Sequence, residues 1–124
     1  MTYLDTHVVL WAYDREYGRL SPQAKTYLDR GELLLSPAVV LELEFLYEIK
    51  RLSARALDIV SWLSAEIGVR VCDLPFPVVV EAALAQKWVR DPFDRLIVAQ
   101  AHANHAPLIT KDQAIQQHYR RAVW

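Results

Sequence analysis

Short runs of apolar residues alternate along this chain with longer stretches that have helical character. Four runs have the length of a strand, and AVW at 122–124 is a fifth candidate: MTYL at 1–4, LLLS at 33–36, VRVC at 69–72 and PLIT at 107–110. None alternates clearly between apolar and polar residues, which is typical of strands covered on both faces. Strands that alternate with helices predict a three-layer α/β/α sandwich with a central, mainly parallel sheet.

Three predicted helices begin in the same way, with a capping side chain followed by a proline. The pairs are Ser21-Pro22, Ser36-Pro37 and Asp91-Pro92. The cap oxygen accepts a free backbone N–H, and proline is tolerated in the first turn because its missing donor would have no partner there. Ser53 is expected to open a fourth helix without a proline. Gly31 and Gly68 are expected to end the helices that Ser21 and Ser53 start.

The length and composition indicate one globular domain over residues 1–124. With 124 residues, 53% hydrophobic and 23% charged, the chain can bury a real core and reads as soluble rather than disordered. Cys72 is the only cysteine and lies in an apolar stretch, so we expect a small buried residue and a reducing, cytoplasmic compartment. Asp5 and His7 interrupt the N-terminal apolar run, and no stretch approaches the ~20 apolar residues of a membrane span.

Four acidic residues lie near the predicted carboxyl ends of strands. Asp5 directly follows the first strand, and Asp112 follows PLIT. Glu42 lies about two turns into the helix after LLLS, and Asp94 lies in the first turn of the helix that Asp91 opens. Strands of a parallel sheet end at the same edge, where ligands bind. We therefore expect these four side chains to converge.

Each acid also has a purely structural explanation. Asp5 or Thr6 and Asp112 can cap helices, Glu42 can be solvated, and Asp91 with Asp94 resembles a capping box. The combination favours a different explanation, because two carboxylates about 4 Å apart repel by roughly 4 kcal/mol at an effective dielectric of 20. Four converging acids call for a cation, and oxygen ligands suit Mg²⁺ or Mn²⁺. Such ions activate water and stabilise the negative charge of a phosphoryl oxygen.

Four segments of the chain together resemble a known family. YLDTHVVLW, SPAVVLELE, RDPFDRLIVAQA and LITKD occur in this order between about residues 2 and 112. They resemble the four motif blocks of the PIN domain and, more narrowly, the VapC-type toxins of prokaryotic toxin–antitoxin pairs. DPFDR followed by an apolar helix is the most specific of the blocks, and the order of all four strengthens the resemblance.

The resemblance implies a metal-dependent ribonuclease that cleaves RNA with Mg²⁺ or Mn²⁺, is held inactive by an antitoxin protein and forms a homodimer. Carried over residue by residue, it implies these catalytic and metal-binding residues: Asp5, Glu42, Asp94 and Asp112. Asp5 and Asp94 would be the most direct ligands. Thr6 and Thr110 match hydroxyl positions that accompany the cluster, whereas Asp91 is assigned mainly as a helix cap.

One block departs from the family pattern. Many relatives carry Trp just before the glutamate, where this chain has Leu41, and Glu44 and Glu48 lie close by. Residues two apart point to different faces of a helix, so Glu42 and Glu44 cannot both enter the site easily. Counting from Ser36 aligns Glu42 with the family's glutamate.

Three other functions compete with a ribonuclease. An aspartyl-phosphate phosphotransferase would use Asp5 as its nucleophile, but that chemistry usually needs an aspartate two residues later, where this chain has His7. A phosphoacceptor domain would need paired acids after the first strand and a mid-chain phosphorylatable aspartate. A non-catalytic α/β binding module would use the acids only as helix caps, and metal-dependent stabilisation would distinguish it from an enzyme.

The remaining charged and aromatic residues carry weaker signals. A net charge of −1 neither indicates nor excludes binding of RNA, which a local patch can provide. The candidate patch residues are Lys50, Arg51, Arg55, Arg90, Arg95, Arg120 and Arg121. A metal site on the histidines lacks a supporting motif: His7, His102, His105 and His118. The tryptophans are interpreted as core or interface residues: Trp11, Trp62, Trp88 and Trp124.

Overall fold

A five-stranded parallel sheet forms the centre of the computed structural model, which describes residues 1–124. Its strands are β1 (Thr2–Leu4), β2 (Leu33–Leu35), β3 (Arg70–Val71), β4 (Leu108–Ile109) and β5 (Ala122–Val123). They lie in the order β3-β2-β1-β4-β5, and every neighbouring pair is parallel. The five predicted strands and the parallel α/β class are confirmed.

Seven helices connect these strands. They are α1 (Thr6–Tyr13), α2 (Pro22–Leu28), α3 (Pro37–Glu48), α4 (Ala56–Ile67), α5 (Phe76–Leu84), α6 (Pro92–Ala103) and α7 (Gln113–His118). Crossovers between parallel strands are right-handed, so the connections that run from β1 to β3 lie on one face of the sheet. The connections from β3 through β4 to β5 cross in the opposite direction and lie on the other face. Accordingly, α1 packs against α4, and α5 packs against α6. None of these helices combines the length and the apolar character that a membrane crossing requires.

The predicted capping side chains are confirmed at three helix starts. Ser21 accepts the N–H of Ala24 at 3.0 Å, and Ser36 accepts the N–H of Ala38 at 3.1 Å. Asp91 occupies the corresponding position before α6. Gly68 ends α4 in the left-handed conformation, with a φ of 72°, as predicted for a glycine after a helix.

Two predicted helix boundaries were wrong. Helix α4 does not open at Ser53 but at Ala56, and the residue before it offers no side-chain cap. The N–H of Ala56 donates instead to Oε1 of Glu44 at 3.3 Å, so a side chain of α3 caps α4. Helix α2 ends at Leu28, before Gly31, which takes a left-handed conformation in the turn that leads to β2.

The three inner strands are buried, but β3 is not. β1, β2 and β4 are buried along their whole length, whereas both residues of β3 are exposed. The prediction that VRVC is covered on both faces was therefore wrong for β3, which has only one neighbour because it forms an edge of the sheet. Cys72, which follows β3, is buried as predicted.

Large aliphatic side chains from both layers fix the helices to the sheet. The fully buried ones include Leu4, Leu35, Leu43, Ile59, Leu63, Ile97 and Ile109. Burial of each such side chain stabilises the fold by about 1.5–3 kcal/mol relative to exposure. This packing holds the carboxyl ends of β1 and β4, which are neighbours in the sheet, in a fixed position.

Candidate active site

A cavity of about 270 Å³ lies at the carboxyl edge of the sheet, beyond β1 and β4. Its lining consists of Asp5, His7, Trp11, Asp94, Lys111 and Asp112. The aspartates reach it from three places in the chain, because one directly follows β1, one follows β4 and one lies in the first turn of α6. Three of the four predicted acids thus line one cavity. The fourth, Glu42, lies beside it.

Asp5 is fixed by hydrogen bonds to both of its carboxylate oxygens. Its side chain is buried; Oδ1 accepts the N–H of Thr6 at 2.8 Å, and Oδ2 accepts the hydroxyl of Thr110 at 2.6 Å. Burial raises the pKa of Asp5, and the hydrogen bonds from Thr110 and Thr6 oppose this rise. Asp5 is therefore both the cap of α1 and a wall of the cavity.

Thr110 connects Asp5 with Asp112. This fully buried threonine donates its hydroxyl to Asp5 and accepts the N–H of Asp112 at 3.1 Å. Oδ1 of Asp112 accepts the N–H of Ile115 at 2.9 Å and so caps α7. The predicted capping roles of Asp5 and Asp112 are confirmed, and the same two side chains also line the cavity.

Glu42 is oriented towards the acidic residues by Thr6. The Thr6 hydroxyl donates to Oε1 of Glu42. Burial raises the pKa of Glu42, the Thr6 hydrogen bond opposes that rise, and the negative charges of Asp5 and Asp91 add to it. Glu42 thus lies within the electrostatic field of the cluster.

Glu44 points away from the cavity and serves the structure of α4. Its carboxylate lies 2.5 Å from Nη2 of Arg55 and accepts the N–H of Ala56. The hydrogen bond from Arg55 holds the pKa of Glu44 below its usual value. The structure therefore separates the two glutamates, with Glu42 beside the acidic cluster and Glu44 at the start of α4.

Glu44→Ala is expected to lower the melting temperature by roughly 2–5 °C, because α4 loses its cap and the contact with Arg55. Glu48→Ala provides the matched control, since Glu48 is an exposed acid of the same helix and makes no salt bridge. Thermal unfolding followed by circular dichroism measures both changes. Equal melting temperatures for the two variants would contradict the capping role.

Asp94 lies in an environment that disfavours its ionised form. Its half-buried carboxylate accepts no hydrogen bond, and burial is the largest cause that raises its pKa to about 7. The carboxylates of Asp5, Asp91, Glu42 and Asp112 raise it further. The other three predicted acids are therefore close enough to oppose the ionisation of Asp94, which is the condition that a bound cation relieves.

Asp91 begins α6, as predicted. Its Oδ1 accepts the N–H groups of Phe93 and Asp94 at 2.9 and 3.1 Å. The second half of the predicted capping box is absent, because Asp94 does not reach back to the backbone of Asp91. The negative charge of Asp91 also raises the pKa values of Asp94 and Glu42. Asp91 therefore lies at the margin of the acidic cluster.

The cavity contains three side chains that the sequence interpretation did not place in a site. His7, Trp11 and Lys111 line it together with the aspartates. Trp11, which the sequence predicts to be a core or interface residue, packs against the core as predicted and also lines the cavity, whereas the sequence predicts no role for Lys111. The spacing of His7 and Trp11, one helical turn apart directly after Asp5, was the available signal that both face the same side of α1.

The side chains as they stand do not form a complete metal-ligand set. No group of three or more His, Cys, Asp or Glu side chains has the required arrangement anywhere in the chain. This holds for the aspartates and also for the histidines His102, His105 and His118, which line a separate cavity with two arginines. The acidic site therefore offers converging charge rather than preformed tetrahedral or octahedral geometry.

The parallel α/β sandwich with acids at its carboxyl edge defines a known class of protein. The model of the PIN domain family matches residues 2–121. The chain belongs to the PIN-domain family.

Its similarity extends to the VapC-type members of that family. The chain is 34% identical to Ribonuclease VapC22 of Mycobacterium tuberculosis H37Rv over 118 residues. The aligned region covers 93% of this chain and 89% of that protein. Two solved complexes share the fold. One is VapBC2 from Rickettsia felis bound to a DNA fragment from its promoter, with a TM-score of 0.67, 17% identity and coverage of 98% of this chain and 96% of that one. The other is DNA-bound VapBC from Salmonella typhimurium, with a TM-score of 0.60, 18% identity and coverage of 93% and 89%.

Proposed function

We propose that this chain is a metal-dependent endoribonuclease and the toxin of a toxin–antitoxin pair. The observation that carries the proposal is the acidic cavity in which neighbouring carboxylates help to raise the pKa of Asp94 to about 7. A functional site often contains such a perturbed group in a cleft. The similarity over nearly the whole chain to a protein named as a ribonuclease supports RNA as the substrate.

The acids fit Mg²⁺ or Mn²⁺ by the chemistry of their donors. The negatively charged groups that converge here are all carboxylates, and hard divalent cations prefer oxygen ligands. Mg²⁺ usually keeps several waters and binds through one or two carboxylates, so a preformed set of three protein ligands is not required. Asp5 and Asp94 would hold the ion, with Asp112 and Glu42 completing its surroundings. When bound, the ion supplies an activated water and stabilises negative charge on the phosphate.

The protein contributes rigid placement of charge. Asp5 and Asp112 cannot move freely, because each caps a helix and both are linked through Thr110. Asp94 lies in the first turn of α6, where the helix dipole favours a negative charge and partly offsets the repulsion from the other acids. A site held in this way needs little reorganisation when the charge of the reacting phosphate develops.

Antitoxin binding, homodimerisation and cytoplasmic action belong to the same proposal. The structural relatives are VapBC complexes, and the proposed antitoxin would be the corresponding partner of this chain. Helices α3 and α5 expose large apolar side chains that suit protein contacts: Leu41, Phe45, Phe76 and Leu84. The buried free Cys72 is compatible with a reducing compartment.

RNA cleavage by the purified chain, freed of any bound partner, should require Mg²⁺ or Mn²⁺. We expect discrete products from a mixture of small RNAs, their loss in EDTA and their return when Mn²⁺ is added in excess over the chelator. Gel electrophoresis of the RNAs gives the result. Cleavage that persists in EDTA would contradict a metal-dependent mechanism, and folded protein that cleaves no RNA under any of these conditions would contradict the ribonuclease.

A further inference from the structure

Half of the residues that line the acidic cavity are aromatic or basic rather than acidic. Asp5, Asp94 and Asp112 carry negative charge, whereas His7 and Trp11 provide rings and Lys111 a positive charge. The carboxylates alone repel the phosphates of an RNA strand. The binding of a strand next to them therefore depends on the bound cation and on the other half of the cavity.

Trp11 lines the cavity, and its ring contacts two other aromatic rings. The helix α1 buries Val8, Val9 and Ala12 in the core, while Trp11 remains half-buried. Its ring lies 5.8 Å from the ring of Trp124, which follows β5 at the same edge of the sheet, and 6.2 Å from that of His7. The indole packs against the hydrophobic core and these aromatic rings, and it thereby holds a fixed surface next to three carboxylates.

Lys111 is available to bind a phosphate. It is exposed and makes no salt bridge, although it shares the cavity with three aspartates. Its Nζ lies 5.9 Å from the centre of the Trp11 ring, so the positive charge is held above the aromatic face. An ammonium group can pair with a phosphate, and an aromatic ring can stack on a base.

We propose that Trp11, His7 and Lys111 bind the nucleotide next to the phosphate at the acidic site. The base stacks on the ring of Trp11, the ring of His7, which is tilted by 47° to that of Trp11, contacts the edge of the base, and Lys111 pairs with the backbone phosphate. This inference rests on the proposed ribonuclease function and assigns three side chains of the cavity to the binding of the RNA. A base can stack on a side chain only when it is free of a duplex, so the binding test uses single-stranded RNA.

Binding measurements on a cleavage-deficient background test the stacking directly. In Asp94→Asn protein with Mg²⁺, fluorescence anisotropy gives the Kd for a short single-stranded RNA of mixed sequence and for an oligonucleotide of the same length that lacks bases. Trp11→Leu should weaken RNA binding roughly 5- to 150-fold, the range for loss of one stacked base. The oligonucleotide without bases should bind both proteins equally.

Trp62→Leu provides the matched control. Trp62 is also half-buried, contacts the aromatic ring of Tyr13 at 5.4 Å and has the guanidinium of Arg15 at 5.3 Å from its ring, but it does not line the acidic cavity. RNA binding should not change in this variant. The inference is overturned if Trp11→Leu binds RNA as the control does, or if it loses affinity equally for both oligonucleotides.

Lys111→Ala tests the phosphate contact without disturbing the core, because the side chain is exposed. It should reduce the slope of log affinity against log salt by roughly 0.7, the value for one phosphate contact on a single strand. Arg15→Ala, which removes an exposed cation beside the other tryptophan, should leave the slope unchanged. If Trp11→Leu does not fold, Lys111→Ala and His7→Ala decide the matter, and unchanged binding in both overturns the inference.

The two proposals fail in different ways. Wild-type protein that cleaves RNA, together with a Trp11→Leu variant of unchanged Kd, would leave the ribonuclease intact and remove only the nucleotide-binding role. Wild-type protein that cleaves no RNA with Mg²⁺ or Mn²⁺ would remove the proposed function, and the inference with it.

Discussion

Asp94→Asn is expected to lower the rate of metal-dependent RNA cleavage by at least about 100-fold, the scale seen when one electrostatic contact to a reacting group is removed. Asp94 accepts no hydrogen bond in the structure. Its burial and the neighbouring carboxylates both disfavour its ionised form. Asparagine keeps the size of the side chain, removes its charge and replaces one carboxylate oxygen by an NH₂ group. The substitution therefore tests the charge at the site with little disturbance of the fold. Initial rates with the cleaved RNA as substrate, at saturating Mg²⁺ or Mn²⁺, give the comparison.

Asp58→Asn is the matched control for this variant. Asp58 and Asp94 are each the third residue of a twelve-residue helix, α4 and α6 respectively. Both substitutions therefore lose the same favourable interaction with a helix N-terminus, about 0.3–1 kcal/mol. Asp58 is exposed and lies outside the acidic cavity, so its variant should cleave at the wild-type rate. A similar loss of activity in both variants would mean that Asp94 acts only through the stability of its helix.

The same Asp94→Asn variant should be more stable than the wild type in the absence of metal at a pH above 7. The pKa of Asp94 is about 7 in the folded chain, against 3.8 for an unperturbed aspartate. A carboxyl group with a raised folded-state pKa stabilises the fold fully only below its unfolded value. That stability is lost as the pH rises from 3.8 to about 7, because the folded site must then accept the charge.

The expected gain of the variant above pH 7 is about 2 kcal/mol. The difference between the two pKa values corresponds to about 4 kcal/mol, and the partial access of solvent to Asp94 reduces this by roughly half. In EDTA, the melting temperature of Asp94→Asn should exceed that of the wild type by roughly 5–10 °C above pH 7. The gap should close near pH 4. Asp5 and Glu42 are present in both proteins, so the difference between the two reports the loss of the Asp94 charge together with its repulsion of these two carboxylates.

Added Mg²⁺ should reverse this order. A cation stabilises the ionised carboxylates and so raises the melting temperature of the wild type, whereas the variant has lost part of the site and gains less. The two measurements separate an acidic metal site from a set of helix caps. A wild type that is as stable as the variant at every pH, with or without Mg²⁺, would show that Asp94 experiences no significant repulsion.

The strands and the converging acids could be predicted because their signals are local. Each strand is a short apolar run, and the rule that parallel strands end at one edge then brings Asp5 and Asp112 together. Helix α5 was not predicted, because it has no side-chain cap and its apolar residues face both inwards and outwards. Val79 is buried in it, whereas Phe76 and Leu84 are exposed, which hides the helical period.

The choice between the two glutamates and the start of α4 depended on contacts distant in sequence. Thr6 donates a hydrogen bond to Glu42, 36 residues away in sequence. Arg55 donates one to Glu44, 11 residues away. Glu44 then supplies the cap that Ser53 was expected to provide. The spacing of His7 and Trp11 places both on one side of α1, but the contacts of Trp11 with Lys111 and Trp124 form only after the sheet has formed. Local patterns cannot report such pairings.

The short edges of the sheet determine how this chain can associate with others. Both edge strands, β3 and β5, are two residues long, and Arg70 at one edge carries a charge that pairs with Glu32. A partner that extends a sheet needs a row of free N–H and C=O groups, which neither edge offers. Strand addition, and with it edge-to-edge aggregation, is therefore disfavoured. Recognition by another protein is left to the side chains on the helices, where sequence differences between related chains can decide which partners match.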